Sequence, residues 1–472
     1  MRLDGLIHNS SYEGLGLKST RKYFDSNDGE LTRAESVQDT LSQIEPMCPK
    51  IGITRIADIT FMDRLYIPNY SAILPGTEDI FWVYSGKGPT KLIAKASAIM
   101  EAIERYSSLP SSCPRSVIQG THSPLSRSYE KVLHPNEVVE PVNLRPDEKD
   151  PVMDYMQGFD LLSGEIVLVP AEIALYRYSP RPPAISAFAH SHTNGLASGN
   201  VLEEAICHAL CEVIERDAVS IADLCSSCIA YNILEKIDSR IKEGSGRPLA
   251  ALTSGEKFVD DPGLFPEVDI SEVAEEFEPL KRLIRGFTDA GIPLLIKDIT
   301  QKDIGIPTFV GSSVEWISQD YGYFAKGYGT HPDSRIALMR AITELSQTRA
   351  VNIHGARDDL RKIQYKEDDE IYRRRWQFMP SSLSSDNYRT KRVIKFSEVK
   401  TYTNRDILDD INLIIGKLKE SGLNRTIIVA LTNPYIGIPV VRAIVPGLET
   451  FEVTGSIMGK RAKEHFRSFY GS

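Results

Sequence analysis

One acidic helical pattern occurs three times in this chain, as KGPTKLIAKASAIMEAIER (residues 87–105), SGNVLEEAICHALCEVIER (residues 198–216) and THPDSRIALMRAITELSQT (residues 330–348). The three segments align without a gap. Four positions recur in this alignment: Ala94, Ala205 and Ala337; Ser97, His208 and Arg340; Glu101, Glu212 and Glu344; and Glu104, Glu215 and Gln347. Their offsets place these side chains on one face of each helix. A repeated stripe of carboxylates requires counterions, and metal ions or bound arginines are the natural ones.

A simpler explanation exists for each copy taken alone. Glu101 with Arg105, and Glu212 with Arg216, are i,i+4 pairs that stabilise a solvated helix by only ~0.2–0.5 kcal/mol each. Ordinary surface faces have no reason to keep the same offsets in three places. The shared register therefore favours one composite site over three exposed faces.

Composition and charge exclude several functions. The formal net charge is -9, which disfavours a non-specific grip on nucleic acid or on an anionic membrane. No apolar run is long enough to cross a bilayer, and the N-terminal residues lack the basic and hydrophobic regions of a signal peptide. Six cysteines in a chain of 472 residues do not make a disulfide framework. We therefore expect a cytoplasmic protein with neither a nucleic acid nor a membrane partner.

The pattern along the chain predicts a mixed body of helices and strands. Residues 79–86 read as a strand that leads through a glycine turn into the first acidic helix, and Ser163-Gly164 marks the turn of a hairpin. Residues 243–266 are rich in Gly, Pro and Asp and are interpreted as a surface insertion. The alternation of helix and strand on both sides of this insertion indicates an α+β or α/β fold rather than a helical bundle.

The second acidic segment is the most informative about chemistry. Asn200, Glu204, Glu212 and Glu215 offer oxygen ligands along one helix face, and His208 lies among them. Oxygen ligands suit Mg²⁺, which usually bridges one or two carboxylates to the phosphates of a substrate. Three arginines of these segments then provide forked donors to phosphate oxygens: Arg105, Arg216 and Arg340. The glycine spacing of a P-loop is missing, so any ATP must bind by other means.

A cysteine pair and two histidines are weaker candidates for metal or substrate binding. Cys225 and Cys228 have the spacing of half a zinc site, but no second pair follows, and buried small hydrophobes are the more common role for such cysteines. His190 and His192 precede the second helix and are better explained as solvated or capping side chains than as ligands.

The three segments, with their flanks, resemble the nucleotide-binding segments of the YcaO superfamily. The resemblance extends from about Arg33 to Glu449. It implies an α+β YcaO fold, in which mixed and antiparallel sheets pack with helices and three related strand-turn-helix units surround a non-P-loop ATP site. It also implies an enzyme that uses ATP and Mg²⁺ to activate a peptide backbone amide. We expect an N-terminal segment (1–70) that completes the nucleotide site, a catalytic core (71–449) and a C-terminal segment (450–472).

The resemblance carries site residues over position by position. It implies an ATP and metal site formed by Arg33, Thr40, Ser97, Glu101, Glu104, Asn200, Glu203, Glu204, Glu212, Glu215, Arg216, Arg340 and Glu344. Six of these are the expected metal ligands: Glu101, Glu104, Glu204, Glu212, Glu215 and Glu344. Arg216 and Arg340 are the expected catalytic residues, and Arg33 and Thr40 are matched only by their spacing of seven positions.

The subfamily follows from the C-terminal residues KRAKEHFRSFYGS, which lack the Pro-x-Pro-x-Pro tail of azoline-forming members. The chain looks most like the methanogen members that convert a glycine of the methyl-coenzyme M reductase alpha subunit to thioglycine. This resemblance implies a protein substrate, an external sulfide donor, a TfuA-like partner and a homodimer. Two alternatives stay open: a cyclodehydratase that forms azolines in peptide natural products, and an inert scaffold of the same fold that binds a peptide.

Overall fold

The computed structural model describes residues 15–24, 32–79, 81–128, 131–139, 150–188, 191–226, 265–316, 322–354, 392–450 and 458–470. Most of the insertion predicted over residues 243–266 lies outside these ranges. The helices in the described residues are α1 (Val37–Ile44), α2 (Cys48–Ile51), α3 (Lys91–Ser108), α4 (His122–Ser128), α5 (Ala171–Ala174), α6 (Leu202–Ser226), α7 (Ser271–Glu276), α8 (Glu278–Ala290), α9 (Ser334–His354), α10 (Ile407–Glu420) and α11 (Lys460–Tyr470). None of them is long and apolar enough to cross a bilayer.

The strands in the same residues form three sheets. They are β1 (Arg55–Asp58), β2 (Asn69–Ile73), β3 (Val83–Lys87), β4 (Ile118–Thr121), β5 (Val152–Asp160), β6 (Glu165–Pro170), β7 (Leu196–Ser198), β8 (Glu267–Asp269), β9 (Leu295–Asp298), β10 (Thr308–Trp316), β11 (Gly322–Thr330), β12 (Val393–Lys395), β13 (Ile427–Ala430) and β14 (Val440–Ile444). The strand orders are β1-β2-β3, β11-β10-β9-β8-β12, and β4-β5-β13-β14-β7 with β6 paired to β5. Pairing is antiparallel throughout, except that β12 runs parallel to β8. The predicted α+β class is confirmed.

The predicted hairpin is confirmed as the pair β5 and β6. Gly164 occupies the turn with a φ of 72°, a left-handed conformation that favours glycine, and its N–H donates to the carbonyl of Asp160 at 2.8 Å. The Ser36 hydroxyl caps α1 by accepting the N–H of Asp39 at 3.1 Å. The expected domain boundary after residue 70 falls inside β2 and stays a prediction.

The helices of the three acidic segments begin later than the segments themselves. α3, α6 and α9 each begin at the fifth residue of their segment, at Lys91, Leu202 and Ser334. The preceding residues complete a strand or a turn. Thr90, for example, is extended and caps α3 by accepting the Ile93 N–H at 3.3 Å. Because this offset is the same in all three units, the helix registers stay aligned as predicted.

Close packing of a strand against a helix positions two of these units. A Cβ added to Gly86 on β3 would lie 2.0 Å from the backbone nitrogen of Ala98 on α3. A Cβ added to Gly329 on β11 would lie 2.0 Å from the carbonyl oxygen of Ala337 on α9. Real side chains do not approach so closely, so only glycine permits these contacts.

The middle unit uses a related contact. A Cβ added to Gly199, just after β7, would lie 2.5 Å from the backbone nitrogen of Ala205 on α6. Ala205 and Ala337 occupy the recurring alanine position of the sequence pattern, as does Ala94, whose carbonyl oxygen is 2.2 Å from the added Cβ at Gly86. The small residues of the pattern therefore fix how each helix meets its strand, and the acidic residues follow from that orientation.

The C-terminal helix α11 packs against α6 and away from the acidic faces. Arg461 contacts the fully buried Asp217 of α6 at 2.9 Å and Asp303 at 2.6 Å. The carboxylate of Glu449 accepts the N–H groups of Gly459 at 2.7 Å and Ala462 at 2.8 Å, which satisfies the start of α11. These contacts fix residues 458–462 on the body of the protein.

We predict that Gly86→Ala lowers the free energy of unfolding by about 1–3 kcal/mol or more, because the new methyl group overlaps the backbone of α3. The matched control is Gly416→Ala in α10, where the added Cβ meets nothing within 4 Å. This control should raise the free energy by about 0.4–1 kcal/mol, because alanine restricts the unfolded chain. Urea denaturation measures both, and an equal effect of the two changes would contradict the packing argument.

Candidate functional site

The acidic faces of α3, α6 and α9 meet at one cavity of about 660 Å³. β3 and the start of α1 complete its walls. Twelve of the thirteen predicted site residues line it: Arg33, Thr40, Ser97, Glu101, Glu104, Asn200, Glu204, Glu212, Glu215, Arg216, Arg340 and Glu344. The three repeated segments thus form one composite site in the described structure.

Glu203 is the predicted residue that the structure does not place in this wall. Its buried carboxylate turns to the N-terminal residues and accepts the backbone N–H of Lys18 at 2.6 Å. Glu203 and Glu204 are neighbours on a helix and therefore face different directions. The structure gives Glu203 an anchoring contact, while Glu204 faces the cavity.

Glu204 connects the N-terminal segment to α6. Its carboxylate accepts Arg33 Nη1 at 2.7 Å, the N–H of Ala34 at 3.1 Å and Asn200 Nδ2 at 3.2 Å. Thr40 lies one turn into α1, and its hydroxyl donates to the Ser36 carbonyl at 3.0 Å. Arg33 and Thr40, which were matched only by their spacing, therefore line the same cavity as the acidic helices.

α3 supplies an ion pair and a link to the second unit. Arg105 donates to Glu101 Oε1 through Nε at 3.0 Å, and its guanidinium lies over the ring of Tyr176 at 5.5 Å. Glu104 is buried, and its Oε2 accepts the N–H of Ser198 at 3.2 Å. Since Ser198 ends β7, Glu104 fixes the start of the second unit against the first.

α9 supplies the third wall. Glu344 accepts the N–H of Tyr328 at 3.2 Å and contacts the ammonium group of Lys87. Arg340 Nη1 donates to the carbonyl of Thr330 at 2.9 Å. Gln347, the residue that replaces a carboxylate in this copy, donates to the carbonyl of Ser85 on β3. The substitution of Gln for Glu thus joins α9 to the first unit.

Burial is the main cause that shifts the pKa values of three cavity carboxylates upward. Burial, with the neighbouring Glu101, raises the pKa of Glu104 well above its ordinary range. Burial raises the pKa of Glu212 to about 7, although Arg216 opposes the change. Burial and Glu344 raise the pKa of Glu215 to about 8. Without a bound cation, these groups hold protons that ordinary glutamates lose.

The pKa of Glu344 is shifted in the opposite direction, below its ordinary value. Burial alone would raise its pKa, but Lys87 and Arg216, with hydrogen bonds from Lys87 and the Tyr328 N–H, lower it below its ordinary value. His208 lies in the cavity wall, and burial together with Arg340 and Arg33 holds its pKa well below the ordinary range. His208 is therefore neutral at physiological pH.

These residues fit a bound Mg²⁺. The donor set consists of carboxylate and amide oxygens, the ligands that this hard cation prefers. Seven carboxylates line the cavity, against four arginines and one lysine, so the donor set carries more negative charge than the cations of the wall neutralise. Asn200 Oδ1 is buried and has no hydrogen-bond partner among the described residues. A cation beside these oxygens would relieve both conditions.

Sequence reasoning missed Lys87, a charged residue of the cavity wall. Its signal lies in residues 85–88, where two glycines flank a lysine at the end of a strand. His208 was recognised as part of the repeated face without receiving a role. Both side chains line the cavity.

The described residues do not support a zinc site at Cys225 and Cys228 or a ligand role for His192. Cys225 is buried, and Cys228 lies outside the described residues, as does His190. His192 contacts Arg442 Nη2 through its backbone carbonyl at 2.9 Å and caps a turn through Nδ1, which accepts the Asn194 N–H at 3.2 Å. This capping agrees with the structural role predicted for it.

Another buried group of potential ligands, Cys207, His331 and Asp410, has its own internal partners. Their ligand atoms all lie within 4.8 Å of one another. The ammonium group of Lys22 already contacts Asp410, however, and His331 Nδ1 accepts the N–H of Asp333 at 3.0 Å. The neutral imidazole therefore carries its proton on Nε2, the nitrogen nearest Asp410, where a metal would need a lone pair.

Comparison with known proteins identifies the family. The model of the YcaO cyclodehydratase family, described as ATP- and Mg²⁺-binding, matches residues 85–449. A protein of Methanothermobacter thermautotrophicus is 32% identical over 437 residues, which cover 90% of this chain and 97% of that protein. A protein encoded in the tfuA 3′ region of Rhizobium leguminosarum bv. trifolii is 29% identical over 445 residues, which cover 92% of this chain and 93% of that protein. The chain belongs to the YcaO family, whose cofactors are ATP and Mg²⁺.

Solved structures show the same fold. A heterocyclase in complex with substrate and cofactor matches 93% of this chain with a TM-score of 0.67 and 22% identity, and the chain spans only 55% of that heterocyclase. YcaO from Methanopyrus kandleri, bound with AMPPCP and Mg²⁺, matches 93% of this chain and 98% of its own length, with a TM-score of 0.64 and 21% identity. The predicted YcaO fold is confirmed.

We predict that the metal-free protein loses stability as pH rises from about 5 to 8. Glu212 and Glu215, with pKa values of about 7 and about 8, bind protons in the folded state that the unfolded chain has already released. The slope should be roughly 1 kcal/mol per pH unit for each proton involved. Chemical denaturation in EDTA measures it, and saturating Mg²⁺ should flatten it because the ion replaces the protons. A stability that is level or rises over this range without metal would contradict the shifts.

We predict that Glu101→Gln and Glu215→Gln each lower the rate of ATP hydrolysis by about 10²-fold or more, since metal-mediated charge stabilisation is worth several kcal/mol. The control is Glu165→Gln on β6, whose carboxylate pairs with Lys131 outside the cavity. A phosphate-release assay in the presence of a peptide substrate measures all three variants. Normal hydrolysis by both cavity variants would refute the carboxylate site.

Proposed function

We propose that the protein is an ATP- and Mg²⁺-dependent enzyme that replaces the oxygen of a peptide backbone amide by sulfur. The target that the sequence resemblance favours is a glycine of the methyl-coenzyme M reductase alpha subunit, which would become thioglycine. The observation that carries amide activation is the single cavity shared by the six predicted metal-binding glutamates. Within the same proposal, the enzyme acts as a homodimer in the cytoplasm and receives sulfide with the help of a TfuA-like partner.

The two full-length relatives support the thioamide reaction over ring formation. One relative comes from Methanothermobacter thermautotrophicus, and the name of the other places it beside tfuA. The C-terminal helix α11 also fits this proposal, because Arg461 holds it on α6 and none of its described side chains lines the cavity. An external nucleophile therefore meets no obstruction from that helix.

The chemistry explains why ATP is consumed. An amide carbonyl is a poor electrophile, and its oxygen is a poor leaving group until it is phosphorylated. The amide oxygen takes the γ-phosphoryl group of ATP, hydrosulfide adds to the carbonyl carbon, and the C–O bond breaks as phosphate leaves. The sulfhydryl proton ends on the phosphate, so that ATP, hydrosulfide and amide give ADP, hydrogen phosphate and thioamide.

The chain contributes positioning and charge. Magnesium, when bound, would neutralise the negative charge of the phosphate oxygens. The glutamates of the cavity would hold it, and Glu204 would orient Arg33 towards the same space. Arg216 on α6 and Arg340 on α9 both line the cavity and would donate to the oxygens of the transferred group. Preorganised charge of this kind accounts for most of the catalysis in phosphoryl transfer.

The mass of the product tests the reaction. The protein is supplied with ATP, Mg²⁺, sulfide and a glycine-containing peptide of the reductase alpha subunit. We expect the mass of the peptide to increase by the difference between sulfur and oxygen. Tandem mass spectrometry places the change on one residue. The control omits sulfide and should leave the peptide unchanged.

Two other outcomes would overturn the proposal. Loss of one water from a peptide that contains Cys, Ser or Thr would indicate azoline formation. Tight peptide binding with neither ATP hydrolysis nor a change in mass would indicate a scaffold. Addition of a TfuA-like protein to an inactive reaction separates a missing partner from a wrong reaction.

A further inference from the structure

Lys87 is a cation inside the predicted metal site. It is the last residue of β3 and lines the cavity, where its Nζ contacts Glu344. Both side chains of this pair are only partly accessible, at 25% for Lys87 and 21% for Glu344. The ion pair therefore lies within the site and not on the outer surface.

The backbone on both sides of Lys87 is held in place. Gly86 packs against α3 with no room for a Cβ, and a Cβ added to Gly88 would lie 2.5 Å from the side chain of Ile93. The Ser85 carbonyl accepts the amide of Gln347. The ammonium group can relocate only by rotation of the flexible four-carbon stem.

Lys87 faces carboxylates from two different helices. It lowers the pKa of Glu344 on α9 and opposes the rise in the pKa of Glu215 on α6. Arg216 acts on the same two groups from α6, and His208 is the neutral neighbour on that helix. The ammonium group thus contacts the third copy of the acidic pattern and acts on Glu215 of the second.

We propose that Lys87 is a resident counterion that Mg²⁺ displaces from Glu344 and that then turns to a phosphate oxygen of the bound nucleotide. The inference rests on the proposed placement of Mg-ATP in this cavity. It follows from charge: a cation on Glu344 repels the ammonium group that contacts the same carboxylate, and the phosphates of the nucleotide then offer that ammonium group a new anionic partner. Lys87 is then a positioning residue for the nucleotide.

Lys87→Met separates this exchange from a purely structural ion pair, because two affinities should change in opposite directions. Mg²⁺ alone should bind about tenfold more tightly to the variant, since the competing positive charge is gone. AMPPCP, titrated at saturating Mg²⁺, should bind about tenfold more weakly, since a phosphate contact is lost. Isothermal titration calorimetry measures both affinities without turnover. Circular dichroism checks folding, and Lys87→Gln takes the place of a variant that does not fold.

Two controls bracket the result. Lys87→Arg keeps the charge and should stay close to the wild type in both titrations. Lys91→Gln removes a lysine that pairs with Asp58 and does not line the cavity, so neither affinity should change. If both affinities of Lys87→Met fall, or neither changes, the exchange is wrong and Lys87 only stabilises the fold. If the wild type itself binds no Mg-AMPPCP, the placement of the nucleotide fails as well.

Discussion

The direct contact of strand backbone with helix backbone is the constraint on which the site depends. Gly86, Gly199 and Gly329 bring their strands or turns so close to α3, α6 and α9 that no side chain fits between them. A helix held at this distance has one permitted rotation about its axis. With the alanine face turned to the strand, the acidic face must turn to the cavity. The carboxylates are therefore assembled by packing, although their mutual repulsion opposes the assembly.

The cost of that repulsion explains the pattern of partners in the cavity. Arg105 neutralises Glu101, Arg33 neutralises Glu204, and Lys87 neutralises Glu344. Glu104, Glu212 and Glu215 are left with raised pKa values, so the free protein reduces its charge by retaining protons. A metal ion can replace bound protons and ammonium groups in the cavity. It could not replace apolar side chains that filled the same space. The free site is thus electrostatically strained in a way that a bound cation relieves.

The sequence predicted the site better than it predicted its surroundings. Because helical periodicity depends only on local spacing, the shared register of Glu101, Glu212 and Glu344 was sufficient to place three distant segments at one cavity. Periodicity put Glu204, and not Glu203, on the face of Glu212 and Glu215, but it could not show that the Glu203 carboxylate accepts the N–H of Lys18. It also could not show where the helices begin, because the residues that end a strand continue the same pattern.

Long-range pairing explains the remaining gaps. β13 lies between β5 and β14, and β14 pairs with β7, so neighbours in that sheet come from distant parts of the chain. No local pattern specifies such an order. Lys87 was missed for a related reason, because its partner Glu344 is 257 residues away and only the folded chain shows that the two charges meet. The glycines around Lys87 lack the spacing of a P-loop, so the local motif did not indicate that partner.

The tie between Arg33 and Glu204, together with the contact between Lys87 and Glu344, has a consequence for synthesis on the ribosome. Chains emerge N-terminal end first, and the cavity has no third wall until residues 334–354 have left the exit tunnel and packed against β3. A nascent chain that ends before α9 lacks Arg340, Glu344 and one wall of the cavity. Ligand binding can therefore stabilise only chains that have completed this late step. Cellular ATP would then act as a selective stabiliser of correctly finished molecules.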